Sequence, residues 1–338
     1  MKRFFSFLVL AVLFTGCDDG DMQEVSFEFN ESAAGSCNSN ASSFFIYKTT
    51  DQRALILKLA ERNFTNTVTS DSLAQQGGAI SLDIDTNNQL IYRVYNDNIT
   101  PTTMCPPNGV PAAYPVVTEE RRAINGGKMF IRTTPIRSEE NANGSTTITE
   151  YLHTISFSDI TFITADGVQR NESLPPVTYR TPASSFNFTN LSSVQICAEN
   201  NHTLLFRYLN DKAMTLRLSE ADAAFLFSND ISAPKVRYLN SENILNYRFF
   251  SRTDITPLTN NYFCSVTQPD LPSVRYIWTG NSSVDQNTGV IEVVTEQTDD
   301  NLFKHTITLK NVTMARASQN FKLERDFIFG EVETTTVP

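Results

Sequence analysis

The chain has 338 residues and a formal net charge of -10, with 27 Lys and Arg residues against 37 Asp and Glu residues. Because such a surface repels a phosphate backbone on average, nucleic acid is excluded as an expected partner. The 24 Phe and 11 Tyr residues exclude a disordered chain, and at roughly 150 residues per domain the length suggests two domains.

The chain begins with the pattern of a secretory signal peptide over residues 1–16. Lys2 and Arg3 precede an apolar stretch from Phe4 to Phe14 that is interrupted only by Ser6, and small residues then lead to Cys17. No other apolar run approaches the roughly 20 residues that a membrane-spanning helix needs. A positive start, a short apolar middle and a small-residue exit therefore predict export rather than a membrane span.

The residues that lead to Cys17 resemble the lipobox of bacterial lipoproteins, although Phe14 stands where that family usually has Leu. The resemblance implies that Cys17 is acylated and becomes the new amino terminus, which makes the lipid bilayer a partner of the chain. Three aspartates follow within an acidic tether at 17–24. The tether resembles that of lipoproteins which some Gram-negative bacteria send to the outer face of their outer membrane. We therefore expect a lipid anchor in the outer membrane, on its periplasmic or cell-surface face. The alternatives are inner-membrane retention and an ordinary signal peptide.

Two stretches of the chain share six landmarks in the same order. The matching landmarks are 54–61 with 213–220, 92–93 with 247–248, 99–101 with 255–257, Cys37 with Cys197, Cys105 with Cys264, and 153–155 with 305–307. Their offsets stay between 152 and 160 positions. This pattern predicts an internal duplication, with repeats at 25–170 and 184–331, a Pro-containing linker at 171–183 and a tail at 332–338.

The four cysteines that follow Cys17 allow three pairings, and the repeat selects one of them. Cys37 and Cys105 are 68 positions apart, and Cys197 and Cys264 are 67 positions apart. Because each repeat carries the same pair and an exported chain meets an oxidising compartment, we predict the disulfides Cys37–Cys105 and Cys197–Cys264. Zinc is the competing use of cysteines, and it would favour a close Cys-x-x-Cys pair, which the sequence lacks.

Alternation of apolar and polar residues along the repeats predicts an all-β fold. Ile80, Leu82 and Ile84 alternate with polar residues, and the same period of two recurs at 55–59 and 214–218. With Asn-rich and Gly-containing breaks between such runs, we expect about eight strands per repeat and two tandem β-sandwich or jelly-roll-like domains.

A single helical signal interrupts this pattern. Ser219 to Asp222 has the spacing of a capping box, and the apolar residues 223–226 follow it. The corresponding segment of the first repeat, 61–68, has a weaker helical pattern, so any helix there should be short.

Three histidines and one acidic motif are the candidate chemical groups. His153 and His305 share their strand faces with apolar residues, so we interpret both as hydrogen-bonded core residues rather than catalytic ones. His202 lies in a polar turn and is expected to be exposed. The motif Asp-x-Asp-x-Asn at 83–87 begins like a calcium loop but lacks its later Gly and Glu. The sequence therefore predicts no catalytic residue, no metal site and no cofactor.

The loop after the second cysteine of each repeat is the expected binding surface. It leads to Tyr114 in the first repeat, and to Tyr276 and Trp278 in the second. Stiff loops that present aromatic rings are common at carbohydrate and peptide sites. The alternative, which is favoured because large aromatic residues dominate β cores, is that Tyr276 and Trp278 open the next strand and pack inward.

These observations favour a non-enzymatic, membrane-anchored binding or accessory module for a glycan or protein ligand. A surface hydrolase acting on glycans and a structural component of an outer-membrane assembly are the alternatives. A binding module predicts a matching exposed aromatic groove in both repeats. A hydrolase predicts a cleft with convergent acids and raised carboxyl pKa values, and a structural component predicts a large flat apolar patch.

Overall fold

The computed structural model shows an all-β protein. Within the residues that it describes, twenty-two strands form four sheets, and all pairings between these strands are antiparallel. The all-β prediction is therefore confirmed. The described residues are 29, 33–38, 44–73, 77–106, 113–164, 167–171, 174–184, 186, 188, 194–199, 201–251, 256–267 and 269–335.

The first unit contains strands β1 to β11. A seven-stranded sheet has the order β1-β2-β3-β5-β6-β9-β10, and a four-stranded sheet has the order β11-β8-β7-β4. Leu55 and Leu57 of the larger sheet and Ile131 and Ile155 of the smaller one share a buried apolar core, as in a sandwich. The strands are Gly35–Asn38, Phe44–Thr50, Arg53–Lys58, Ile80–Asp83, Gln89–Tyr95, Val117–Ala123, Lys128–Arg137, Ile148–Ser158, Ile160–Thr164, Gly167–Asn171 and Val177–Pro182.

The second unit contains strands β12 to β22 in the corresponding arrangement. Its larger sheet has the order β12-β13-β14-β16-β17-β20-β21, and its smaller sheet has the order β22-β19-β18-β15. Each strand number is eleven higher than that of its counterpart in the first unit, so the two units share one topology. Descent from one duplicated module stays a prediction. The strands are Gln195–Glu199, His202–Leu209, Lys212–Ser219, Lys235–Tyr238, Ile244–Phe250, Val274–Gly280, Val290–Asp299, Leu302–Lys310, Thr313–Arg316, Gln319–Lys322 and Asp326–Thr335.

The strand boundaries differ from the expected ones at the end of each unit. Each unit has eleven strands in the described residues, where the sequence pattern suggested about eight. Val177–Pro182, expected to belong to a linker, forms β11 and pairs with β8 along its length. Because β11 is the edge strand of its sheet, Pro182 lies where a missing backbone N–H is tolerated. The strand β22 likewise extends through residues expected to form a tail, as far as Thr335.

Four short α-helices connect the strands among the described residues, and one of them was predicted. They are α1 (Thr69–Ser72), α2 (Pro101–Met104), α3 (Glu220–Leu226) and α4 (Asn260–Cys264). The Ser219 hydroxyl caps α3 by accepting a hydrogen bond from the backbone N–H of Asp222 at 3.2 Å, as its spacing predicts. The counterpart in the first unit is only a 3₁₀ helix at Glu61–Asn63. No helix in the described part of the chain is long and apolar enough to cross a membrane.

Both predicted disulfides are present. Cys37 of β1 is bonded to Cys105, which follows α2, and their Cα atoms are 5.4 Å apart. Cys197 of β12 is bonded to Cys264 of α4, with 5.7 Å between the Cα atoms. In each unit the bridge therefore fastens a short helix to the first strand of the larger sheet.

The two units are in contact with each other through the connection between β7 and β8, residues 138–147. The backbone N–H of Thr146 donates to the Lys322 carbonyl at 3.1 Å, and the Lys322 N–H donates to the Thr146 hydroxyl at 2.9 Å. The Lys322 ammonium is also 2.7 Å from the carboxylate of Glu140. Deeper in the contact, the Tyr151 hydroxyl donates to the Gln319 side chain at 2.9 Å. Hydrogen bonds and an ion pair thus join the first unit to β21 of the second.

Candidate binding site

Tyr114, the first of the three predicted contact residues, lies on the surface ahead of β6. Its side chain is 61% exposed, and its hydroxyl donates to an Asp97 carboxylate oxygen at 2.6 Å. This hydrogen bond lowers the pKa of Asp97. Most of the preceding loop, residues 107–112, lies outside the described residues. Contact between Tyr114 and a ligand stays a prediction.

Tyr276 and Trp278, the other two predicted residues, pack against the core of the second unit. Trp278 is only 4% exposed and meets Phe321 edge to face at 5.1 Å between ring centroids. Tyr276 stacks on Phe249 at 4.4 Å, and the Arg316 guanidinium lies 4.5 Å from its ring centroid. Inward packing, the alternative named for this pair, thus describes Trp278.

The rings of Tyr276 and Trp278 line a narrow slot between the two units. Tyr151 and Ile148 of the first unit form part of its wall. Its free volume is about 30 Å³, which is room for about one water molecule. A sugar ring does not fit into this slot unless the units move apart.

The aromatic pair is not repeated in the first unit. According to strand register, Trp278 and Tyr276 of β17 correspond to Arg121 and Glu119 of β6. Arg121 and Glu119 form an ion pair with 2.5 Å between nitrogen and oxygen. The units therefore do not present matching aromatic surfaces at this position.

His153 and His305 are fully buried and occupy equivalent positions in the two smaller sheets. Burial lowers the pKa of each to about 4, so both are neutral at pH 7. The prediction of hydrogen-bonded core histidines is confirmed, whereas His202 is half-buried at the start of β13 rather than exposed. Both ring nitrogens of each buried histidine lie 2.8–3.0 Å from threonine hydroxyls, which belong to Thr133 and Thr181 around His153 and to Thr295 and Thr334 around His305.

The carboxylates of the acidic motif at 83–87 are bound by other groups of the protein. One oxygen of Asp85 accepts hydrogen bonds from the backbone N–H groups of Asn87 and Asn88, both at 2.7 Å. The Asp83 carboxylate is bonded to Lys128. This motif therefore closes the β4–β5 turn. In the described part of the chain, no group of three or more His, Cys, Asp or Glu side chains is arranged to hold a metal ion.

A buried arginine was not anticipated from the sequence. Arg207 is 1% exposed, and its guanidinium carbon lies 5.1–5.6 Å from the centroids of three phenylalanine rings. Its side-chain nitrogens have no hydrogen-bond partner among the described residues, and burial lowers its pKa to about 10. Register places Lys48, which is also buried, at the same position of the first unit. The negative ring faces take over part of the role of water around the Arg207 cation.

An open groove lies at one end of the first sandwich, and we call it the first-unit groove. Its volume is about 890 Å³, which is within the range of small-molecule sites. It combines apolar side chains with amides and charged groups. The described lining residues are Phe44 and Phe45 of β2, 58–63 at the end of β3 and in the 3₁₀ helix, Leu82 of β4, and 86–89 of the β4–β5 turn.

Three neighbouring strands contribute a row of side chains to this groove. Phe45 of β2 is paired with Lys58 of β3, which is paired in turn with Gln89 of β5. The Gln89 amide nitrogen donates to the Thr86 carbonyl at 2.9 Å, but its buried side-chain oxygen has no hydrogen-bond partner. A buried acceptor without a partner costs free energy.

A polar network lies at the equivalent end of the second unit. Asn243 is fully buried; its amide nitrogen donates to Asp222 at 2.8 Å, and its amide oxygen accepts from the backbone N–H of Ser219 at 3.0 Å. Arg237 donates to the other oxygen of Asp222. Desolvation raises the pKa of Asp222, but the hydrogen bonds from Asn243 and Arg237 outweigh it and lower the pKa overall.

The first unit lacks most of this network. Repeat alignment and strand pairing place Ala60, Asn63, Leu82 and Asn88 where the second unit has Ser219, Asp222, Arg237 and Asn243. Neither the ion pair nor the serine cap can form there, and the open groove lies at this end of the sandwich. Three side-chain differences between otherwise corresponding positions therefore accompany the open groove.

Carboxylates are scarce in the first-unit groove. Glu61 is the single carboxylate among its described lining residues. A two-carboxylate glycosidase needs a partner acid and a general acid with a raised pKa. In the part of the chain that the structure describes, the carboxyl groups with a shifted pKa all have a lowered one, and these are Asp85, Asp97, Glu120, Glu140, Asp222, Asp230 and Asp285.

Comparison of the chain with protein-family models, with curated proteins and with solved structures finds no match to it. The functional assignment therefore rests on the residues described above.

Proposed function

We propose that the protein is an exported, lipid-anchored outer-membrane lipoprotein that binds a ligand without catalysis in the first-unit groove. The observation that carries the proposal is the contrast between the two ends of equal topology. One carries the Asp222–Arg237 ion pair, and the other is an open groove of about 890 Å³.

Binding rather than hydrolysis is supported by the chemistry of the lining. The groove offers amides, aromatic rings and a single carboxylate, Glu61. Such a set can hold a ligand by hydrogen bonds and ring contacts, but it provides no acid–base pair for glycoside hydrolysis.

Anchoring is supported by the amino-terminal sequence, which lies outside the described residues. An acylated Cys17 would hold the chain on a bilayer, since each buried methylene adds about 0.8 kcal/mol of membrane affinity. We expect the variant C17A to lose incorporation of labelled palmitate and to leave the membrane fraction. If C17A keeps its lipid label and stays in the membrane fraction, the proposed anchor is wrong.

The binding site is tested by closing the groove. The variant A60S/N63D/L82R gives the first unit the residues of the second unit's polar network. On arrays of oligosaccharides and peptides, we expect the parent protein to bind and this variant to lose at least tenfold in affinity, while circular dichroism shows both folded.

A matched control carries the same three types of substitution on exposed positions of the second unit, A198S/N201D/L209R. It should bind like the parent. A closed-groove variant that binds as well as this control would refute the first-unit groove as the ligand site.

A further inference from the structure

We infer that the first-unit groove binds an extended chain of neutral sugars, an inference that rests on the binding function proposed above. Three observations support this inference: the amide-rich lining, the row of side chains across three strands, and the position of these strands inside the sheet.

Side-chain amides make up half of the polar side chains that line the groove. Asn63, Asn87, Asn88 and Gln89 line it together with the hydroxyl-bearing Thr86. A side-chain amide both donates and accepts hydrogen bonds, as a sugar hydroxyl does.

The row of Phe45, Lys58 and Gln89 runs across the strands and not along one of them. Neighbouring strands are about 5 Å apart, so these side chains follow one another at a spacing that suits successive rings of an extended saccharide. Phe45 is half-buried, so part of its ring remains available for contact with the apolar face of a sugar.

The topology disfavours an extended peptide in this groove. A peptide that adds to a sheet uses the free backbone groups of an edge strand. The strands β2, β3 and β5 are interior strands of the larger sheet, so their backbone groups are already paired. The nearby edge strand β4, Ile80–Asp83, is only four residues long.

The charge of the chain as a whole, rather than that of the groove, disfavours a polyanion. Lys58 and Arg62 contribute two positive charges, which Glu61 partly balances. The chain as a whole carries a formal charge of -10 and repels a strongly anionic polymer. A neutral chain avoids that repulsion.

The test uses isothermal titration calorimetry of the full chain with neutral tetrasaccharides: chitotetraose, cellotetraose, xylotetraose and mannotetraose. A tetramer of galacturonate and an uncharged octapeptide are the comparison ligands. We expect at least one neutral tetrasaccharide to bind with a dissociation constant below millimolar. The variants N87A and Q89A should each weaken this binding about tenfold, as the loss of hydrogen bonds worth about 1.4 kcal/mol would. N287A, which removes an exposed amide from the second unit, should leave it unchanged.

The alternative outcomes separate this inference from the proposed function. Binding of only the galacturonate tetramer or the octapeptide, weakened by Q89A, would overturn the neutral-sugar inference and leave the groove as a binding site. Saccharide binding that N87A, Q89A and the closed-groove variant all leave unchanged would overturn both. The absence of binding to every neutral tetrasaccharide would refute the sugar assignment.

Discussion

The two buried histidines should make the stability of the protein depend on pH between 7 and 5. His153 and His305 have pKa values of about 4 in the folded chain, because burial disfavours their charged forms. In the unfolded chain the pKa is about 6.5. The unfolded state therefore binds more protons in this range, and acidification favours unfolding.

The magnitude follows from these two pKa values. At pH 7 an unfolded histidine is mostly neutral, and at pH 5 it is almost fully protonated while its folded counterpart stays mostly neutral. Linkage then gives a loss of about 2 kcal/mol per histidine on going from pH 7 to pH 5, or about 4 kcal/mol for both. Most carboxylates titrate below this range, so the histidines dominate the change.

The assay is urea unfolding of the parent and of H153N, H305N and the double variant at pH 7 and pH 5. Each single variant should be less stable than the parent at pH 7, because threonine hydrogen bonds are lost. Between pH 7 and pH 5, its unfolding free energy should nevertheless fall by about 2 kcal/mol less than that of the parent. If the units unfold in separate transitions, each substitution should act on the transition of its own unit. H202N is the control for a histidine substitution outside both cores.

Two results would refute this reasoning. One is a parent protein whose unfolding free energy changes by less than about 1 kcal/mol between pH 7 and pH 5, because the depressed pKa values require more. The other is a double variant that keeps the full pH dependence of the parent. In that case other groups would be responsible.

Two further predictions concern the covalent and the inter-unit contacts. C37A/C105A should lower the unfolding free energy of the first unit by about 4 kcal/mol, because its disulfide closes a long loop. In chemical denaturation, the transition of the second unit should stay in place, and an unchanged transition of the first unit would contradict this prediction. Y151F should lower the free energy of unfolding by about 1 kcal/mol through the lost hydrogen bond to Gln319, as measured by thermal unfolding, and T134V, on an exposed position of β7, is its control. Equal melting temperatures for Y151F and the parent would contradict this prediction.

Much of the fold could be predicted because the relevant signals are local or repeated. Alternation identified the core faces of strands such as β4 and β8, and equal spacing selected the Cys37–Cys105 and Cys197–Cys264 pairs. The strand β11 was missed because its neighbouring prolines indicate a linker, whereas pairing with β8 stabilises an edge strand there.

The candidate site was harder to predict because it depends on contacts distant in sequence. In the repeat alignment Leu82 already corresponds to Arg237, which is a usable signal for a difference between the units. It does not reveal that Asn243 is buried or that it joins Asp222 to Ser219. Likewise, the aromatic character of Trp278 was visible in the sequence, but its burial against Phe321 was not.

The hairpin connection that joins the units makes their contact asymmetric. The first unit docks head to tail through residues 138–147, a connection of ten residues, and such heterologous contacts can propagate into open filaments. The corresponding connection of the second unit, 300–301 between β18 and β19, has two residues. The second unit therefore has no connection of the same length with which to make the same contact to a further copy.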